Sequence, residues 1–285
     1  MPDIIDPLLR DDEIDDSYLD DIRRSLTKKR PSTRRRVFEK FFLAALGSIP
    51  WVGGFISAVA SLKLDQAGIE QDDLQSQWLA GHRKKLAQLR GDLDGIADRF
   101  EELGEEIDER ITSEEYLTLV GRAFSAWDRA DTDEKRRYAA NLISNAAGTR
   151  VCSDDVVRLF IDWLDSYHEA HFAVIRRIYD QPGSTRYDIW TAVYGEVPRE
   201  DSAEADLFKM LIRDLSIGGV IRQQREVNLA GKFVKKRPTH RNSGGSVLES
   251  AFEETKPYVL TDLGQQFVHY TMSEVVTRLE AEAGR

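Results

Sequence analysis

The sequence predicts a mainly helical protein that ends in a small module of mixed helix and strand. Three observations support this prediction. Apolar residues recur at steps of three and four between positions 86 and 178, which is the period of amphipathic helices. Helix-capping patterns precede several of these segments, and only two short stretches, 220–224 and 257–260, resemble strands. With 285 residues, of which 41% are hydrophobic, the chain has room for one large or two medium domains.

Charge is distributed unevenly along the chain. The 40 basic and 50 acidic residues leave a net charge of -10, which favours solubility. Residues 3–21 hold nine acids, whereas residues 23–40 are strongly basic, and such blocks are usually solvated. We therefore expect residues 1–34 to form a charged, flexible arm and residues 276–285 to form a tail. The single cysteine excludes an internal disulfide and no export signal is present, so we expect a cytoplasmic protein.

Residues 41–62 contain no charged side chain, which is the most unusual feature of the sequence. About twenty apolar residues suffice to cross a bilayer, but Pro50 and the neighbouring glycines break the run into two short helices. The segment is therefore predicted to be a hydrophobic helical hairpin. Two interpretations stay open, a buried core element and an element that inserts into the inner membrane. The candidate residues are Phe41, Phe42, Pro50, Trp51, Gly53, Gly54 and Phe55.

A long helix is predicted over about residues 72–111, with a narrow apolar seam of the a/d kind that coiled coils use. Such a seam needs a partner, and an intramolecular helix or a second copy of the chain would serve equally. Further amphipathic segments extend as far as residue 165, so a helical domain is predicted over 35–165. The seam residues, which are the candidate oligomerisation residues, are Leu86, Leu89, Leu93, Ile96, Phe100, Leu103 and Ile107.

Residues 166–275 follow a different order: three helices, the third over 203–217, then two strand-like stretches and a closing helix. This order predicts a winged-helix-like module of mixed helix and strand. The loop between its strands is strongly basic, and we name residues 222–241 the basic wing. Its nucleic-acid-binding or partner-binding candidates are Arg222, Arg225, Lys232, Lys235, Lys236, Arg237 and Arg241. The third helix mixes acidic with basic residues, which disfavours major-groove reading and favours docking to a protein.

No catalytic motif is recognisable in the chain. The serine-elbow, phosphate-loop and dinucleotide-binding patterns are missing. Asp165, His168 and His171 form the most metal-like group, but steps of three residues turn the outer pair about 120° apart on a helix. We therefore predict a non-enzymatic protein with no catalytic residues, no metal and no cofactor.

Four short segments, 48–54, 112–116, 134–142 and 168–171, resemble bacterial abortive-infection alpha-type and related antiphage proteins. The resemblance implies a hydrophobic hairpin, a helical body and a C-terminal winged helix, and it supplies no catalytic residues. It further implies a defence-type effector or accessory whose hairpin acts on membranes under control of the winged helix. Two alternatives stay open: a nucleic-acid-binding regulator that acts through the basic wing, and an oligomeric scaffold that binds itself or a helical protein partner.

Overall fold

The computed structural model describes residues 34–52, 73–149, 151–224 and 250–272, and 74% of them are helical. These residues form 11 helices and a single sheet of two strands. The predicted mainly helical class is therefore confirmed. The described residues up to Asp165 form one compact unit, the N-terminal unit, and those from Ser166 onward form a second, the C-terminal unit.

The N-terminal unit is helical throughout its described elements. Ser113 caps one helix by accepting a hydrogen bond from the amide of Tyr116 at 3.3 Å. Thr132 caps the next by accepting one from the amide of Lys135 at 3.3 Å. The α-helices are α1 (Arg35–Gly47), α2 (Asp73–Leu103), α3 (Asp108–Thr112), α4 (Glu114–Arg129), α5 (Asp133–Gly148) and α6 (Asp154–Ser166), with a 3-10 helix at Glu105–Ile107.

Helix α2 ends at Leu103, so the single helix predicted over 72–111 is wrong in its last two turns. Gly104 has a φ of 75°, a left-handed conformation that glycine adopts without steric cost. This residue interrupts the helix, and the chain continues as the separate 3-10 helix and α3.

Arg34 caps the end of α2 from a distant part of the chain. Its guanidinium donates to the carbonyl oxygens of Phe100 at 3.3 Å and Gly104 at 3.0 Å, and it forms an ion pair with Asp108. The residue is only 6% exposed. Arg34 therefore belongs to the packed N-terminal unit, not to the flexible arm predicted over 1–34. Residues 1–33 lie outside the described residues.

Aromatic side chains of α1, α2 and α4 form the centre of the N-terminal unit. The ring of Phe41 lies 5.1 Å from that of Phe100 and 6.3 Å from that of Phe124, edge to face in both pairs. All three side chains are at most 1% exposed. Helix α5 packs along both α2 and α4. The core thus joins segments that are far apart in the sequence.

The C-terminal unit contains the two described strands, which pair antiparallel with Arg222 opposite Val259. An isolated antiparallel bridge joins Ser184 to Tyr258. Thr261 caps the last helix by accepting a hydrogen bond from the amide of Gly264 at 3.0 Å. The elements are α7 (Glu169–Asp180), α8 (Arg186–Tyr194), α9 (Ala203–Ile217), β1 (Ile221–Gln223), β2 (Tyr258–Leu260) and α10 (Asp262–Thr271).

Candidate functional site

Helix α9 carries the candidate site. The buried side of this helix packs into the C-terminal unit and fixes the helix in place. Ser202 caps its first turn by accepting a hydrogen bond from the amide of Ala205 at 3.2 Å. Phe208 stacks on Phe252 with ring centroids 6.0 Å apart. The core-facing residues are each at most 1% exposed: Ala205, Phe208, Ile212 and Leu215.

The opposite side of α9 is apolar and exposed. Leu207, Met210 and Ile217 are 49%, 38% and 79% exposed, respectively. Steps of three and seven residues place them on one stripe along the helix, and Ala203 and Asp214 occupy the remaining positions of that stripe. We call these five residues the α9 seam.

Exposed apolar side chains are concentrated in the C-terminal unit. Among the described residues ten large apolar side chains are exposed, and only Leu43 and Val151 of these belong to the N-terminal unit. Exposed apolar patches are common at interaction sites, so the α9 seam is the candidate that this part of the surface offers. Besides the α9 seam, the C-terminal unit exposes Tyr179, Tyr187, Tyr194, Val197 and Leu263.

Acidic side chains border the α9 seam and enter it. Glu204 and Asp206 are exposed in the first turn of the helix. Within the seam, the carboxylate of Asp214 lies 3.9 Å from Nε of Arg213, and the Asp214 side chain is 39% exposed. Burial raises the pKa of Tyr167 to about 12, and the negative charge of Asp214 adds to that shift. Asp214 therefore places a negative charge inside an otherwise apolar stripe.

Arg222 is the one candidate of the basic wing that falls among the described residues. It is exposed at the centre of β1, opposite Val259. The other candidates, Arg225, Lys232, Lys235, Lys236, Arg237 and Arg241, lie outside the described part of the chain. Of the two candidate surfaces of the C-terminal unit, α9 can therefore be described throughout, whereas only Arg222 of the basic-wing candidates can.

Phe41 and Phe42 of the predicted hydrophobic hairpin lie in the core of the N-terminal unit, with exposures of 0% and 1%. Pro50 is exposed. Across the described ranges, no helix combines the length and the apolar character that a bilayer crossing requires. The remaining candidates Gly53, Gly54 and Phe55 lie outside the described residues.

Trp51 is held against α2 and α4 by polar and ring contacts. Its indole N–H donates to Oδ1 of Asp128 at 2.5 Å, and Lys85 forms an ion pair with the same carboxylate. The Lys85 ammonium lies 5.5 Å from the centre of the Trp51 ring, and the ring of His82 meets Trp51 edge-on at 4.9 Å. We call Trp51, His82, Lys85 and Asp128 the Trp51 cluster. It fixes the last described turn of the hydrophobic segment to the helical body.

Six of the seven residues assigned to oligomerisation are buried within the chain itself. Leu103 is partly exposed, and Ile107, 6% exposed, lies in the 3-10 helix beyond the end of α2. The chain supplies its own partners for these buried residues, which is the intramolecular alternative. Oligomerisation through the seam stays a prediction. The seam residues on α2 that are at most 2% exposed are Leu86, Leu89, Leu93, Ile96 and Phe100.

Within the described ranges no group of three or more His, Cys, Asp or Glu side chains is placed to hold a metal ion. In the most metal-like group of the sequence, Nδ1 of His171 accepts a hydrogen bond from the amide of His168 at 3.1 Å. The Asp165 carboxylate accepts one from Nε of Arg129 at 3.0 Å. The first contact caps α7 and the second joins α4 to α6, so both have structural roles.

The chain matches no protein-family model, no curated protein and no solved structure. Because these comparisons assign no role to any residue, the candidate site rests on the geometry of the chain alone. The sequence prediction missed the α9 seam because it rested on the charges of the third helix. The signal was present all the same, since Leu207, Met210 and Ile217 keep helical spacing on the side opposite Phe208 and Ile212.

Proposed function

We propose that this protein is a non-enzymatic interaction protein whose C-terminal unit is a winged-helix-like module that binds a protein partner through the α9 seam. The observation that carries the proposal is the exposed stripe of Leu207, Met210 and Ile217 on the third helix of the unit. Covering such a stripe removes apolar surface from water, which favours association. The biological role that fits is a defence-type effector or accessory, as the resemblance to abortive-infection proteins implies.

The order of the elements supports the winged-helix-like arrangement. Three helices, α7 to α9, precede the antiparallel pair of β1 and β2, and α10 follows. The bridge from Ser184 to Tyr258 brings the chain between α7 and α8 onto β2. The third helix of this arrangement is α9.

A protein fits the exposed side of α9 better than a nucleic acid does. Phosphates are bound by Lys and Arg, and base edges are read by basic and amide groups on the helix that enters the groove. The exposed side of α9 instead presents Leu207, Met210 and Ile217. The two basic residues of the helix, Lys209 and Arg213, lie 3.9 Å from the carboxylates of Asp206 and Asp214. Protein interfaces are enriched in methionine and depleted of charge at their centres.

The membrane-active hairpin stays a separate prediction. Phe41 and Phe42 fill the core, and Asp128 and Lys85 hold Trp51. Insertion of the two phenylalanines into a membrane requires their removal from the N-terminal unit. Their removal breaks the ring packing of Phe41 on Phe100 and Phe124 and leaves a cavity in the core, which opposes that step. Docking through α9 requires no such rearrangement.

Photocross-linking in the native host cell tests the proposed function. The photoreactive residue benzoylphenylalanine replaces Leu207 in the full-length chain, and in a matched control it replaces Tyr179, which is also 49% exposed but lies on α7. We expect a discrete protein adduct from position 207 and little from position 179. Equal adducts from both positions, or cross-links to nucleic acid, contradict the proposal.

A further inference from the structure

The spacing of the α9 seam is that of a helix that packs against another helix. From Ala203 to Ile217 its members alternate steps of four and three residues, the a/d pattern of coiled coils. The buried side of α9 follows the same rule from Ala205 to Leu215. Helix α9 thus has two apolar faces of one kind, and one of them packs into its own unit.

The dimensions of the seam select a helix as its occupant. Helix α9 has 15 residues, so at 1.5 Å per residue the seam runs for about 22 Å, roughly two heptads. A second helix of similar length covers a narrow stripe of this kind from end to end. Side chains on one face of an extended strand lie about 6.6 Å apart, which does not match the spacing of about 5.2 Å along the α9 seam.

Asp214 determines the charge that the occupant must carry. It stands between Met210 and Ile217 in the seam, and its side chain is 39% exposed. An apolar helix laid over this carboxylate would strip its water and leave it only the exposed guanidinium of Arg213, 3.9 Å away, which is costly. A basic residue on the occupant supplies the partner, much as polar residues at core positions select partners in coiled coils.

We propose that the α9 seam binds a single amphipathic helix of a partner protein that carries a Lys or Arg opposite Asp214. This inference rests on the proposed function and adds the chemical class of the partner. A second copy of the chain that pairs in parallel suits the surface less well. Parallel pairing of two α9 helices would set Asp214 against Asp214, and like charges in such a place repel.

Synthetic helix probes test the proposal by fluorescence anisotropy with the full-length protein. Each probe is a stapled peptide of two heptads with Leu at its a and d positions, made in one version for parallel and one for antiparallel pairing. Opposite Asp214, one member of each version carries Lys and its twin carries Glu. We expect the Lys probe of one orientation to bind roughly five- to tenfold more tightly than its Glu twin.

Two variants with the same charge change sharpen the test. Asp214→Lys should reverse the preference, so that the Glu probe binds more tightly. Glu254→Lys alters an exposed residue outside α9 and should leave the preference of the wild-type chain in place. Equal affinity of the Lys and Glu probes for the wild-type chain overturns the proposal.

The remaining outcomes separate this inference from the proposed function. If no probe binds while position 207 still cross-links to a protein in cells, the helical occupant is wrong and the docking function stands. If position 207 also fails to cross-link, the docking function fails as well. If the wild-type chain sediments as a dimer that Ile217→Ser dissociates, the occupant is a second copy, and the proposal is overturned.

Discussion

Helices α2 and α9 carry the same apolar spacing and use it differently. On α2, Leu93 and Phe100 are fully buried, because α5 packs along this helix and Phe41 of α1 meets Phe100. On α9, Leu207 and Ile217 are 49% and 79% exposed. The comparison teaches that periodicity identifies an apolar face but does not say whether the same chain covers it.

The largest expected effect on the free energy of unfolding comes from the buried apolar seam of α2. The ring of Phe100 meets those of Phe38, Phe41 and Tyr116 at centroid distances of 6.2, 5.1 and 6.5 Å. Phe100→Ala leaves a cavity among these rings, so we expect the free energy of unfolding to fall by about 3–5 kcal/mol. Urea denaturation followed by circular dichroism measures the change. A loss below about 1 kcal/mol would show that this seam is not core.

The second-largest effect on the free energy of unfolding is expected in the Trp51 cluster. Asp128→Ala removes the acceptor that Trp51 and Lys85 share, and the Lys85 side chain is only 23% exposed. We expect a loss of about 1–3 kcal/mol in urea denaturation. Asp162→Ala is the control, because its ion pair with Arg122 is exposed and contributes at most about 1 kcal/mol.

The same variant tests the membrane prediction. If the Trp51 cluster restrains a membrane-active hairpin, Asp128→Ala should release more dye from anionic vesicles than the wild-type chain or Asp162→Ala does. Unchanged leakage together with lowered stability rejects this restraint.

A smaller effect of opposite sign is expected at Asp92. Burial raises its pKa, although the indole N–H of Trp127 donates to it at 2.6 Å. A carboxyl whose pKa is raised on folding stabilises the protein below its unfolded pKa, and that contribution is lost as the pH rises through the folded pKa. Asp92→Asn keeps an oxygen acceptor and removes the charge. We expect it to be more stable than wild type at pH 7, with the gain disappearing below about pH 4. Urea denaturation across this range decides, and a pH-independent difference contradicts the prediction.

The smallest effect on stability is expected on the exposed seam. Ile217→Ser should change the free energy of unfolding by no more than about 0.5 kcal/mol, because Ile217 is 79% exposed. Ile212→Ser makes the same substitution on the buried side of α9, where the side chain is 1% exposed, and should cost several times more. Thermal denaturation compares the two variants. Equal destabilisation would mean that the α9 seam is core and not a docking surface.

Local patterns predicted the helices well. The helix predicted over 203–217 has those bounds, and the closing helix is present as α10, capped by Thr261. Caps and apolar spacing act within a few residues, so they can be read without knowledge of the rest of the chain. The candidate site could have been predicted as an apolar stripe on α9 by the same reasoning, but its exposure could not.

The sequence by itself determined the helical class, the order of the elements and the apolar faces of α2 and α9. Only the tertiary structure decided which of these faces is covered and where α2 ends. Gly104 permits the break, whereas Arg34 completes it by reaching Asp108, 74 residues away in the sequence. The physical reason is that covering a face or capping a helix end from a distance depends on contacts between remote residues. A local pattern records the need for such a partner but not its position.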